Sequence, residues 1–220
     1  MAKPWMAGAA LLLLLAGAAL LLLLKDPQAG EQKTANTFVN CKHLAQANCL
    51  AGSKIKDEQA LGGFGSSDNF PKPVTKEMKI EEGKLQLIAE PESVTSLGKC
   101  KGMRLLLVNG TKEQTGFDAT NSRLAIVQEA KNAQGKWIPI EYLESSFCGN
   151  SYHRVFLGAW EYWEFATPRY KGETKMKLRF ALLKAAQPLY SNEFEGSVNP
   201  EQFSNEEGPP PGGYVDPYND

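Results

Sequence analysis

Histidine is nearly missing from this 220-residue chain, which holds only His43 and His153. Catalysis by a Ser-His-Asp set, or metal binding by a histidine cluster, therefore has few places to form. Charge of one sign is missing as well. Lys+Arg 24 against Asp+Glu 25 leaves a net charge of -1, too little positive field to hold a phosphate backbone or an anionic lipid surface, so nucleic acid is not an expected partner. Neither a Cys-x-x-Cys-His haem motif nor a Gly-rich phosphate loop occurs, since Gly62-Gly63-Phe64-Gly65 has no strand-like run before it and no helix-like run after it. No cofactor is expected.

The remaining catalytic candidates are thin. Ser151 stands near His153 without a nucleophile-elbow pattern around it. Cys41-Lys42-His43 with Cys49 supplies three zinc-type ligands in no familiar spacing and lacks a fourth. Glu141 with Glu144, or Glu161 with Glu164, could serve glycoside cleavage, but a separation of three along a strand puts the members of each pair on opposite faces. These readings predict neither a catalytic set nor a metal centre, and a hydrolase is the least favoured reading.

What the chain does have is an apolar run from position 7 to position 24, made only of Ala, Gly and Leu and built as AGAALLLLL written twice. Eighteen helical residues extend about 27 Å, close to the thickness of a bilayer core. The run is longer than the usual apolar part of a signal peptide, and cleavage at the Ala-x-Ala placed to be cut, Ala16-Gly17-Ala18, would leave leucines on the mature end. Residues 1–25 therefore read as a transmembrane anchor, opening its span at Ala7 and closing it at Leu24, with a cleaved signal and a secreted product as the alternative. Lys3 on one side and Lys25 and Lys33 on the other do not decide orientation. The even set Cys41, Cys49, Cys100 and Cys148 favours an oxidising compartment, outside the cytoplasm, with up to two disulfides in three possible connectivities, of which Cys41 with Cys49 and Cys100 with Cys148 is the preferred one.

Residues 26–83 are polar and interrupted by Gly62, Gly63, Gly65, Pro71 and Pro73, the composition of a stalk, and residues 204–220 form an acidic Pro/Gly-rich tail. Between them, 84–203 carries period-two patterning. Strands are expected at 84–89, 102–108, 123–130, 137–143, 152–165, 173–182 and 188–198, with a hairpin across the Asn132 to Gly135 turn. In the sixth, Thr174, Met176, Leu178, Phe180 and Leu182 share one face.

About seven short strands with hardly any amphipathic helix point to a mainly β fold, a β-sandwich. On Leu105-Leu106-Leu107-Val108-Asn109-Gly110-Thr111, and on Tyr170-Lys171-Gly172 leading into the strand from Lys175, the domain resembles the immunoglobulin-like and fibronectin-type sandwiches of extracellular proteins. The inter-sheet disulfide of antibody domains is not reproduced, because Cys100 precedes its strand and Cys148 sits in Phe147-Cys148-Gly149-Asn150. Cys148-Gly149-Asn150-Ser151-Tyr152 and Tyr190-Ser191-Asn192-Glu193-Phe194-Glu195-Gly196-Ser197 are similar to segments of exported bacterial proteins. The resemblance implies an architecture and no activity.

Binding is expected on the aromatic stretch 152–165, where Phe156, Trp160 and Tyr162 share one face of a continuous strand and would form a platform for a protein partner or a sugar. Gly158 is the position at which a bulge would shift that register. Asn109-Gly110-Thr111 is formally a glycosylation acceptor, though a turn after a strand accounts for it. The expected function is a membrane-tethered, extracytoplasmic interaction or structural module, with a carbohydrate-binding module as the alternative.

Overall fold

The computed structural model describes residues 48–97, 100–143, 146, 148–183 and 187–203. The apolar run 7–24, the first part of the stalk and the tail 204–220 lie outside the described residues. Among those described, no helix is long and apolar enough to cross a membrane.

The fold is mainly β, and every strand pairing is antiparallel. One sheet runs β1-β9-β3-β2, from β1 (Lys72–Pro73), β9 (Glu161–Pro168), β3 (Cys100–Asn109) and β2 (Leu85–Leu97). A second runs β11-β10-β6-β7, from β11 (Leu189–Tyr190), β10 (Thr174–Leu182), β6 (Ile126–Lys131) and β7 (Trp137–Pro139), with β12 (Phe194–Val198) also on β10. The third runs β5-β4-β8, from β5 (Arg123–Leu124), β4 (Thr115–Thr120) and β8 (Tyr152–Leu157).

The inward positions of all three sheets meet in one apolar core around Trp163, Phe165, Phe180, Leu105 and Leu107. The alternation at 174–182 does what its period requires: Leu178, Phe180 and Leu182 are buried on the core side. Across β10 the opposite face buries Ala181 against Val127, with Leu143 over them, so this strand is covered on both sides near its end. The hairpin at 131–137 forms as expected, with Gly135 at φ +77° and Asn132 Oδ1 accepting the amides of Gln134 and Lys136.

Three differences from the sequence reading bear on function. First, the aromatic stretch 152–165 is two strands, not one. It breaks at Gly158-Ala159-Trp160, so β8 belongs to the three-stranded sheet and β9 to the four-stranded one. Second, residues 48–74, taken with the stalk, pack on the domain: Leu50 and Ala51 are fully buried, Leu50 bridges Arg123, and β1 pairs with β9. Third, neither expected disulfide pair is present, because Cys49 and Cys148 are both free thiols. Cys49 is enclosed in the core beside Leu50 and Ala51, while Cys148 is exposed ahead of a short 3-10 turn (Gly149–Ser151). Cys100 is itself disulfide-bonded, and Cys41 lies outside the described residues.

Burial holds the Cys49 thiol well above its ordinary pKa and away from reagents, with the Glu141 carboxylate adding to the effect. Alkylation of the native, unreduced protein is therefore expected to label Cys148 quickly and Cys49 only after denaturation, with Cys100 unlabelled until reductant is added. Peptide mass mapping reads all three, and fast native labelling of Cys49 would contradict the burial.

Candidate functional site

Two neighbouring features stand out: the turn between β8 and β9, and a cleft beside β8. The turn is fixed from both ends. Gly158 N–H donates to Glu161 Oε2 at 3.0 Å, Trp160 N–H donates to the Asn109 carbonyl at 2.9 Å, and Val74 N–H donates to the Trp160 carbonyl at 2.8 Å. These bonds hold Trp160 at φ +57°, a left-handed conformation that costs a bulky residue about 1–2 kcal/mol and costs glycine almost nothing. The residue is nevertheless 37% exposed. Phe156 and Tyr162 are half-buried and stand on different sheets, so the structure does not present the three aromatics as one strand face.

The cleft holds about 320 Å³ and lies between β8 and the segment 52–70, which we call the strap. Its ends are pinned by buried groups. Trp163 Nε1–H donates to the Gly52 carbonyl at 2.9 Å, Gly52 N–H donates to the Asn69 carbonyl at 2.9 Å, and Asn69 Nδ2 donates to the carbonyls of Leu50 and Glu164. Gly52 is required there, since a Cβ would come within 2.2 Å of the Ser67 carbonyl oxygen. Between those anchors no residue from 53 to 66 is buried.

Two strap side chains reach the outer edge of β8. Asp57 Oδ2 accepts the Arg154 amide at 2.8 Å and Ser53 Oγ accepts the Phe156 amide at 3.1 Å. The Arg154 amide is the main reason the Asp57 carboxyl lies below its ordinary pKa. Lys54, on the rim, pairs with Glu161 Oε1 at 2.9 Å and so links the cleft to the Trp160 turn.

His153 forms part of the cleft wall. It is 6% exposed, and Phe64 packs on its ring at a centroid distance of 3.7 Å. Its Nε2 accepts the Ser122 amide at 3.0 Å, which fixes the neutral proton on Nδ1, where no hydrogen bond is made. Burial lowers its pKa, and Asp57 opposes that shift. Ser122 sits at φ +62° in a tight turn with Asn121, and its hydroxyl donates to the Gly65 carbonyl at 2.9 Å. The imidazole nitrogen that would act as a base on Ser122 is thus engaged by backbone, and the hydroxyl proton points to a carbonyl.

The other sequence candidates are dispersed. Ser151 Oγ accepts from Ser146 rather than meeting His153. Glu161 and Glu164 are neutralised by different lysines, Lys54 and Lys72. Glu141 is buried, with Tyr170 Oη–H and the Gln128 amide donating to its two oxygens at 2.7 Å each, and Glu144 lies outside the described residues. Asn109 is fully buried, so its side chain is closed to a glycosylating enzyme in the folded protein. Among the described residues, no group of three or more His, Cys, Asp and Glu is placed to hold a metal ion, and Cys41 and His43 lie outside them.

Sequence reasoning passed over Ser53, Asp57, Phe64 and Phe70 because they sit in the polar stretch taken as stalk. The one usable signal was Gly62-Gly63-Phe64-Gly65, an aromatic held between glycines, of which Gly62 and Gly63 adopt φ near +80°. No family model, no curated protein and no solved structure matches the chain.

Proposed function

We propose that this chain is a membrane-tethered, extracytoplasmic interaction module built on an immunoglobulin-like sandwich, recognising a protein partner without catalysis. The observation that carries the reading is Trp160. A large aromatic that is exposed, and that occupies a backbone conformation suited to glycine, is a poor choice for folding alone; strain of this kind is kept where an exposed side chain has work to do. The antiparallel sheets and shared core support the sandwich, and the apolar run 7–24 supports the tether. The engaged Nε2 of His153 supports binding over hydrolysis.

Carbohydrate binding is the second reading, favoured by the exposed indole lying next in sequence to Glu161, whose carboxylate pairs with Lys54, since sugars are held by an aromatic face with charged hydrogen-bonding groups beside it. Trp160→Gly tests both. Relief of the left-handed strain, about 1–2 kcal/mol, should offset part of the apolar burial given up with the indole and leave the protein folded, measured by urea denaturation. Retrieval of the full-length variant from its own membranes should lose whatever the wild-type protein brings down reproducibly. A protein lost on substitution supports the interaction module, a polysaccharide lost supports the second reading, and unchanged recovery would remove Trp160 from both.

A further inference from the structure

We propose that the outer edge of β8 docks an extended peptide segment of a partner protein, which pairs with the backbone of Arg154 and Phe156 in the cleft now bridged by Ser53 and Asp57. The inference rests on reading the chain as an interaction module, and it assigns the module a second, backbone-reading site beside Trp160.

β8 is the last strand of its sheet. One side pairs with β4 from Thr120↔Tyr152 to Thr115↔Leu157, and among the described residues no strand pairs with the other side. In an antiparallel ladder alternate residues turn both N–H and C=O outward, so Arg154 and Phe156, two positions apart, present a repeat of about 7 Å along that edge. A neighbouring strand would meet both amides with carbonyl oxygens. Here a carboxylate and a hydroxyl meet them instead, at 2.8 and 3.1 Å. Because side chains do the reaching, the strap's own main chain stands a side chain's length away, and the cleft lies in the gap.

Capping of this kind blocks indiscriminate edge pairing while leaving the edge open to a segment that competes for the same donors. A competing segment need displace only the Ser53 and Asp57 caps, since Phe64 and Gly65, which pack on His153 and bond to Ser122 and Asn121, lie farther along the strap. The rim also tells which peptide fits. Ile55 and Phe70 both line the cleft and are 47% and 44% exposed, so an apolar side chain on every second peptide residue would cover them, while the residues between face water. The match is to main-chain carbonyls at strand spacing, which an extended peptide supplies and a sugar ring does not.

The test is a random linear twelve-residue peptide library panned against the full-length chain in detergent, with enriched peptides synthesised and titrated. Enriched sequences should alternate apolar or β-branched residues with polar ones. Ser53→Ala removes one competing cap and should tighten binding roughly five-fold, the value of one hydrogen bond. Phe156→Pro deletes one edge donor at a position where proline is tolerated, and should weaken binding at least about ten-fold. N-methylation of the peptide should weaken binding at alternate amides only, a readout that needs no protein variant. Failure to enrich any peptide, or enriched peptides indifferent to Ser53→Ala and to N-methylation, overturns the proposal. If Trp160-dependent retrieval persists in that case, the interaction module stands without this edge; if retrieval also fails to depend on Trp160, both readings fall.

Discussion

Glu141→Gln is expected to make the protein more stable than wild type at pH 8, by about 3 kcal/mol, and to bring the two close together below about pH 4. Burial raises the Glu141 pKa to about 7, even though the Tyr170 hydroxyl and the Gln128 amide both favour the ionised form. In the unfolded chain the same carboxyl titrates near the ordinary glutamate value of about 4.3. Below that value both states hold the proton and the buried group carries no penalty. Between there and about pH 7 the unfolded chain has released its proton while the folded chain keeps it, so stability falls as pH rises, and the loss is complete above pH 7. A shift of between two and three units corresponds to about 3 kcal/mol.

Glutamine keeps the geometry and removes the titration: its amide oxygen still accepts from Gln128, and its amide nitrogen can donate to the Tyr170 oxygen. Urea denaturation at several pH values, compared as variant minus wild type, isolates this group from Asp57, Glu77 and Glu193, whose lowered pKa values act with the opposite sign in both proteins. A constant difference across the range would show that the carboxyl is not held against ionisation by its surroundings.

How much of this molecule was legible in advance depends on where side chains alternate and where they do not. β3 and β10 announced themselves, one as an uninterrupted apolar run and the other as strict alternation, because a pleated strand turns every second residue inward. β4, Thr115–Thr120, went unread: its Gly116 and Asp118 face out and only Phe117 and Ala119 face the core, which is too little hydrophobicity to mark a strand. The break between β8 and β9 was hidden for the opposite reason, since aromatic residues continue through it and only Gly158 signals a turn. The cleft was illegible because its strap owes its place to single polar atoms, such as Asn69 Nδ2 and Ser53 Oγ, meeting backbone from distant elements. Hydrogen bonds of that kind leave no periodic trace. For the same reason Asn109 read as an ordinary turn residue.

Asn109→Asp is expected to be among the most damaging single-atom changes available to this protein, costing about 4 kcal/mol, a large fraction of the stability of a domain this size. The side chain is fully buried at the end of β3. The two protons of its Nδ2 are shared among the carbonyls of Glu113, Leu157 and Gly158 at 2.8, 3.1 and 3.0 Å, and its Oδ1 accepts from the amide and hydroxyl of Thr111 at 3.0 and 2.7 Å. One amide group thus joins the β3 turn to the end of β8, and its own backbone carbonyl holds Trp160. An aspartate in its place has no donor for the three carbonyls. Ionised, it sets a buried negative charge against their oxygens; protonated, it satisfies one of them and leaves two. Either outcome strands buried acceptors, at about 1–3 kcal/mol apiece. Asn109→Ala removes the same donors without adding charge; burial raises the pKa of the new carboxyl, so the difference between the two variants should narrow as pH falls toward the ordinary aspartate value of about 4 and be gone below it. Thermal unfolding of both across that range measures it. Wild-type stability in the aspartate variant would mean that the three carbonyls do not depend on Nδ2, and that the Trp160 turn is held by the backbone alone.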